Sequence, residues 1–172
     1  GISPVGVAVE AGRAYVCNNG SANVSVIDTA TNTVIATIAV GISPVGVAVE
    51  AGRAYVCNNG SANVSVIDTA TNTVIATIAV GISPVGVAVE AGRAYVCNNG
   101  SANVSVIDTA TNTVIATIAV GISPYGVAVE AGRAYVSNSG SANVSVLVYQ
   151  TNSTQTFASV TNFEQLNRIR YS

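Results

Sequence analysis

The chain has 172 residues, 8% of them charged, a net charge of −2 and no Lys, His, Met or Trp. This length is typical of one domain, which can bury roughly 70% of the surface that the unfolded chain exposes. The charge argues against nucleic-acid binding, which needs a basic stripe, and no apolar run approaches the ~18 residues that cross a bilayer. Few charges and many Ser, Thr and Asn residues predict instead a secreted or cell-surface protein, its signal peptide removed.

The sequence is an internal repeat. Residues 1–40, 41–80 and 81–120 are identical, and a fourth copy runs from Gly121 to Val146 with three substitutions before the sequence changes. The substituted residues are Tyr125, Ser137 and Ser139. Residues that recur in every copy serve the repeated unit and its stacking on the next unit, whereas a single active site needs unique side chains.

Each copy contains four short runs of strand type separated by turn residues. The first run alternates Val with small residues, and this period of two predicts a strand. Gly12 supplies the permissive backbone of a hairpin turn, Asn18–Ala22 reads as a loop, and the polar side chains of Asp28–Asn32 favour another turn. The strands predicted in the first copy are Val5–Val9, Arg13–Cys17, Asn23–Ile27 and Thr33–Val40.

The faces of these strands predict how the copies pack. Val5, Val7 and Val9 share one side of the first strand, opposite Gly6 and Ala8. The fourth strand is apolar on both sides, so each sheet must be covered on both faces and the copies must stack. Radial stacking of four-stranded meanders every 40 residues is typical of a β-propeller; the alternative, a parallel β-helix, has shorter rungs without paired hairpins. We predict an all-β fold, a β-propeller of four 40-residue, four-stranded antiparallel blades.

Three segments of the first copy closely resemble the YVTN β-propeller repeat: Pro4–Val9, Gly12–Asn18 and Asn23–Val34. The family's Tyr-Val-Thr-Asn stretch is matched by Tyr15–Asn18, with Cys17 in place of Thr. The resemblance covers residues 1–146 and implies four strands per blade and an extracellular protein similar to archaeal surface-layer proteins. The resemblance does not indicate one function, because the same blade serves adhesion, scaffolding and, in lactonase-like relatives, catalysis.

The blade count predicts self-association. Propellers of the resembled family commonly close with about seven blades, whereas this chain has four copies. An array that does not close leaves two uncovered apolar faces, which are interaction sites. Two half-rings could join head to tail as an eight-bladed ring, or the same contact could continue as a filament. We therefore expect copies of the chain to be its partners.

The sequence after Val146 is unique. We predict blades at about 1–40, 41–80, 81–120 and 121–162, with the polar strand Gln155–Val160 capping the last blade. Residues 163–172 form either a C-terminal clasp over that blade or an arm that pairs with a neighbouring chain. The predicted assembly contacts are Val5, Val7, Tyr125, Leu147, Tyr149, Phe157, Phe163, Leu166, Ile169 and Tyr171.

The cysteines and charged residues offer few candidates for chemistry. Cys17, Cys57 and Cys97 are predicted to be small buried apolar residues, with an interchain disulfide and a metal ligand as alternatives. Glu10 and its repeats could ring a channel and bind Ca²⁺, but an Arg three residues later favours a cross-strand ion pair. Asp28 and its repeats are predicted to be turn residues.

No enzyme is expected, because a nucleophilic triad lacks its usual base without His. The sequence also shows no phosphate loop and no zinc spacing, so no metal, cofactor or catalytic residue is predicted. A lactonase-like propeller enzyme is the third and least favoured hypothesis.

Asn-X-Ser/Thr sequons recur in every copy. They are acceptors for N-glycosylation in an exported protein. The leading prediction is thus an extracellular scaffold protein that assembles into a surface layer, ring or filament; the alternative is a multivalent glycan-binding or adhesion module that displays the Asn18–Asn23 loop several times. The predicted glycosylation sites are Asn19, Asn23, Asn59, Asn63, Asn99, Asn103, Asn143 and Asn152.

Overall fold

The computed structural model describes residues 1–150 and 156–160, with side chains described through Val148. It contains four antiparallel sheets of four strands, each in the order of the sequence. The all-β prediction is confirmed, and so is the prediction of four strands per copy. In the described ranges, no helix is long and apolar enough to span a membrane.

We call the sheets blades 1 to 4. Blade 1 consists of β1 (Pro4–Glu10), β2 (Arg13–Asn18), β3 (Asn23–Asp28) and β4 (Thr33–Ala39). Blade 2 consists of β5 (Pro44–Glu50), β6 (Arg53–Asn58), β7 (Asn63–Asp68) and β8 (Thr73–Ala79). Blade 3 consists of β9 (Pro84–Glu90), β10 (Arg93–Asn98), β11 (Asn103–Asp108) and β12 (Thr113–Ala119), and blade 4 of β13 (Pro124–Glu130), β14 (Arg133–Asn138), β15 (Asn143–Gln150) and β16 (Thr156–Val160).

The turns follow the chemistry of their residues. Ala11 and Gly12 both have positive φ, 48° and 77°, which is the requirement of the tight hairpin turn between β1 and β2. The predicted loop after β2 contains a single 3₁₀ turn, Asn19–Ser21, that ends at Ala22 with φ 50°. The Asp28 carboxylate accepts hydrogen bonds of 2.9 Å from the backbone N–H groups of Ala30 and Thr31. The predicted role of this Asp in a turn is therefore confirmed.

One prediction about the first strand is wrong. The pairing of β9 with β10 is irregular between Pro84 and Val87, which is the position of a β-bulge. Val85 therefore packs in the core between blades 3 and 4, whereas Val87 and Val89 pack in the core between blades 2 and 3. The three Val residues do not share one side, because a bulge shifts the period-two alternation by one residue.

Blade 4 differs from the others in its outer pair of strands. In blades 1 to 3 the pairing of the third and fourth strands shifts register, between Val26 and Ile27 in blade 1. In blade 4 it is continuous from Val146, opposite Val160, to Gln150, opposite Thr156. β15 accordingly runs two residues further than the six residues of β3. The replacement of the Asp28-type turn by Val148 and its neighbours explains this extension, since no turn residue stops the strand.

Candidate functional site: the two terminal blade faces

Each junction between blades joins two different faces. The outgoing face of blade 1 presents Tyr15, Cys17, Val24, Val26 and Ile38. It packs against the incoming face of blade 2, which presents Val47, Val49, Ala54, Val56 and Ile67. The same residue types recur at the next two junctions, except that the third has Leu147 in the place of Ile67 and also includes Val85. A blade is therefore covered completely only when it has a neighbour on each side.

The incoming face of blade 1 has no neighbour in the described chain. Val7 is 63% exposed and Val9 67% exposed, and the partly exposed Val16 and Ile27 correspond to fully buried Val56 and Ile67 in blade 2. An apolar surface that is buried at every internal junction is thus left open at this end.

The outgoing face of blade 4 is the second open face. Tyr135 is 38% exposed and Val144 is 50% exposed, although their counterparts in blade 1, Tyr15 and Val24, are buried. Ser137 replaces the buried Cys17 and is exposed. Its hydroxyl accepts a hydrogen bond from the Gly126 N–H and donates one to the Gly126 carbonyl. All three substitutions in the fourth copy, Tyr125, Ser137 and Ser139, thus occupy positions whose counterparts pack at a junction with the next blade. As far as the described residues show, the array is an open arc with both of these faces uncovered.

The first strands of the blades line a groove of about 340 Å³. A Cβ atom on Gly6 would lie 2.0 Å from the carbonyl oxygen of Val45 in the next blade, a distance that no Cβ can adopt. The counterparts of Gly6 in blades 2 and 3 are equally restricted, which explains why Gly recurs where adjacent backbones approach closely. The predicted contact residues Val5, Val7 and Tyr125 all line this groove.

Neighbouring blades are also joined by what we call the polar corner, which consists of an Arg side chain of one blade and a Thr carbonyl in a turn of the next blade. The Arg13 guanidinium donates to the Thr69 carbonyl of blade 2, and Arg53 donates in the same way to Thr109 of blade 3. The predicted cross-strand ion pair with Glu10 or Glu50 is not among the interactions of the described residues. Sequence reasoning missed the actual acceptor because it lies 56 residues away, in a turn of the next blade.

The glutamates that could have ringed a channel serve a different role at one junction. The Glu90 carboxylate accepts hydrogen bonds of 3.1 Å from the backbone N–H groups of Ala131 and Gly132, in the first hairpin turn of blade 4. Among the described residues, no three His, Cys, Asp or Glu side chains lie close enough together to hold a metal ion.

The three cysteines are free and buried, as their sequence context predicts. Burial raises the pKa of the Cys17 thiol to about 12 and that of Cys97 to about 12. The pKa of Cys57 is also raised, first by burial and then by the neighbouring cysteines. These thiols pack as apolar groups and are poor nucleophiles, because the thiolate is the reactive form.

The sequon asparagines lie in the loop before the third strand of each blade and at the start of that strand. The Asn23 amide accepts from Asn18 Nδ2 at 2.8 Å and donates to the Ser21 carbonyl at 3.2 Å. Asn19 Nδ2 lies 3.4 Å from the Pro44 carbonyl of the next blade. Glycosylation of these residues stays a prediction, and Asn152 lies outside the described residues.

The remaining predicted contacts divide between the core and the undescribed part. Leu147 is 1% exposed and packs in the core between blades 3 and 4, so it does not belong to an open face. The side chains of Tyr149 and Phe157 fall outside the described residues, as do Phe163, Leu166, Ile169 and Tyr171 in full.

Comparison with solved structures identifies the fold. The chain is similar to the hydrazine synthase of Kuenenia stuttgartiensis, with a TM-score of 0.78 and 24% identity over 92% of this chain and 49% of that chain. It is similar to the WD40 β-propeller domain of Doa1, with a TM-score of 0.66 and 15% identity over 86% and 47% of the two chains. It is also similar to the computationally designed Ika4 protein, with a TM-score of 0.74 and 9% identity over 84% and 90%.

The chain thus spans about half the length of the hydrazine synthase and Doa1 chains that it matches. No protein-family model matches it, and no curated protein sequence matches it significantly. Because the sequence identities to these solved structures are below 25%, the comparisons support a shared fold and not a shared function. The chain is a β-propeller protein with four blades.

Proposed function

We propose that the chain is a self-associating propeller subunit, in which the outgoing face of blade 4 in one copy covers the incoming face of blade 1 in the next copy. The proposal is supported by the residues of the two open faces, which repeat those of the faces that pack together inside the chain. Blade 1 has the same incoming residues as blades 2 and 3, and blade 4 keeps the outgoing residues Tyr135, Val144 and Val146. Each open face is therefore complementary to a surface that another copy displays.

The apolar side chains supply the energy of this contact. Complete burial of a Val or Ile side chain contributes about 1.5–3 kcal/mol relative to its exposure. Val7, Val9 and Val144 are all at least half exposed in the single chain. Association costs at least about 4 kcal/mol in lost rotational and translational freedom. Ser137 replaces an apolar Cys of the internal junctions, and Ser139 replaces an Asn whose side-chain amide donates to the next blade, so we expect a reversible association weaker than the junctions within the chain.

The simplest closed assembly has two copies. A head-to-tail contact closes into a ring when its rotation returns to the starting face, and otherwise continues as a filament. Two open arcs of four blades would form one eight-bladed ring by using both open faces of each copy.

A substitution on the open face tests the proposal. Val9→Glu places a charge on a residue that is 67% exposed in the single chain and that packs, partly buried, against the next blade at the internal junctions. Ile82→Glu is the matched control, because Ile82 is 64% exposed and its equivalents are about as exposed in every blade, whether or not a neighbour is present. Light scattering after size exclusion should show a mass above 17.1 kDa for the native chain and the control, and 17.1 kDa for the Val9 variant. Equal masses for all three proteins would contradict the proposal.

We propose further that the assembled subunit is an extracellular scaffold of the YVTN type without catalytic activity. Its low charge, its many hydroxyl and amide side chains and the Tyr15–Asn18 stretch on β2 support this role. An antibody against the chain should label intact cells of the producing organism. Labelling that requires lysed cells would contradict the extracellular role but leave the self-association untouched.

A further inference from the structure

The polar corner between blades has two halves that come from different blades. Arg53 and Tyr55 belong to blade 2, and the Thr109 carbonyl that accepts from Arg53 belongs to the last turn of blade 3. Tyr55 interacts with both Arg53 and Thr109, although burial is the main reason that its pKa is raised. Arg13 and Thr69 repeat the arrangement between blades 1 and 2. The corner is therefore a regular element of a complete junction.

Each end of the chain carries one unmatched half of this corner. Blade 4 presents Arg133 and the partly exposed Tyr135 on its open outgoing face. Blade 1 presents Thr29, which is exposed, whereas Thr69 and Thr109 beside their arginines are partly buried.

The charge around Arg133 also differs from that around the other arginines. Arg13 lies opposite Asp28 in the pairing of β2 with β3, and the next two blades repeat this pair. Arg133 lies opposite Val148. The fourth arginine has thus lost the carboxylate that stands across the strand from its counterparts, while the turn of blade 1 that begins with Asp28 keeps its negative charge.

We propose that Arg133 of one copy donates to the Thr29 carbonyl of the next copy, beside Asp28, and that this bond sets the register of the contact between copies. The inference rests on the proposed self-association and names the polar group that orients it. A guanidinium has a planar set of donors and keeps its charge at all ordinary pH values, so it recognises a carbonyl in one geometry.

Arg133→Gln tests this inference against the matched control Arg53→Gln. Both changes remove the same guanidinium from the same repeat position, but the bond of Arg53 lies inside the chain. Sedimentation equilibrium should show a dissociation constant about ten- to a hundredfold higher for the Arg133 variant, the range for a hydrogen bond with a charged group. Its melting temperature should match that of the native chain when both are diluted to the monomer. The Arg53 variant should melt at a lower temperature and associate like the native chain.

The two proposals fail in different ways. If the native chain associates and Arg133→Gln associates equally well, the polar contact is refuted and the apolar contact stands. If the native chain stays a monomer at every concentration, both proposals are refuted. A dissociation constant that rises as much for Arg53→Gln as for Arg133→Gln would also refute the inference, since it would show a general loss of structure.

Discussion

Replacement of Gly126 by Ala separates the contact between copies from the fold of one copy. Inside the chain, a Cβ on Gly46 would lie 2.1 Å from the Val85 carbonyl oxygen, and one on Gly86 would lie 2.3 Å from that of Tyr125. On Gly126 the nearest atom is the Ser137 hydroxyl oxygen at 3.2 Å, which can move. The single chain should therefore accept Ala at this position, and it gains the lower backbone entropy cost of Ala over Gly in a strand.

The associated chain should not accept the same Ala. In a head-to-tail contact like the internal junctions, the new Cβ would meet the Val5 carbonyl of the other copy at about the distance that Gly6 shows towards Val45, 2.0 Å. Relief of such overpacking costs about 1–3 kcal/mol, which raises the dissociation constant about five- to 150-fold. Dilution calorimetry, which records the heat of dissociation, measures this change directly.

The internal equivalent provides the control. Gly46→Ala should lower the melting temperature by several degrees, because about 1–3 kcal/mol is lost from the fold of a domain of this size. At concentrations where both proteins are monomers, Gly126→Ala should melt at or above the native temperature. If Gly126→Ala associates as tightly as the native chain, the outgoing face of blade 4 does not meet a blade edge in the proposed manner, and the reasoning is refuted.

Three further predictions concern the termini, the thiols and the turns. Ser137→Cys with Ser139→Asn restores two of the three substituted repeat residues on the outgoing face, so it should lower the dissociation constant severalfold in sedimentation equilibrium, and no change would contradict the assigned face. The pKa of about 12 at Cys17, against an ordinary 9.0, leaves about a thousandfold less thiolate at pH 8; alkylation should be slow in the native protein and fast in denaturant, and fast native labelling would refute the burial. Backbone hydrogen bonds from Thr31 and its repeats, followed by those from the Thr side chains, lower the pKa of the three turn aspartates below 3.8. The ionised aspartates therefore stabilise the fold fully at pH values above their ordinary pKa, and this stabilisation is lost as the pH falls through the lowered pKa of the folded chain. The melting temperature should drop below about pH 4, and it should drop less steeply in a variant with Asn at all three positions.

The strands were predictable because their signals are local. Alternating Val residues, Gly12 and the Asp28 turn each determine the conformation of a few neighbouring residues, and four copies repeat the same information. The stacking of blades was predictable as well, because a strand that is apolar on both sides must be covered twice.

The junctions were less predictable because they depend on residues far apart in the chain. The bulge between Pro84 and Val87 reverses the side on which Val85 lies. Pro84 and Gly86 are residue types common at bulges, but both also occur at strand ends and close backbone approaches, so they did not identify it. The bond from Arg13 to Thr69 replaced the expected ion pair because the neighbouring turn offers a carbonyl within reach. The role of Ser137 as an exposed polar residue of the open face could not be predicted from the substitution itself, since Cys and Ser differ little in size.

The mass of the native chain in solution tests the central claim most directly. Sedimentation equilibrium over a hundredfold range of concentration should show the average mass rising from 17.1 kDa towards twice that value and levelling there, as two arcs close into one ring. A mass of 17.1 kDa at every concentration would contradict self-association, and a mass that continues to rise would contradict the closed ring in favour of a filament.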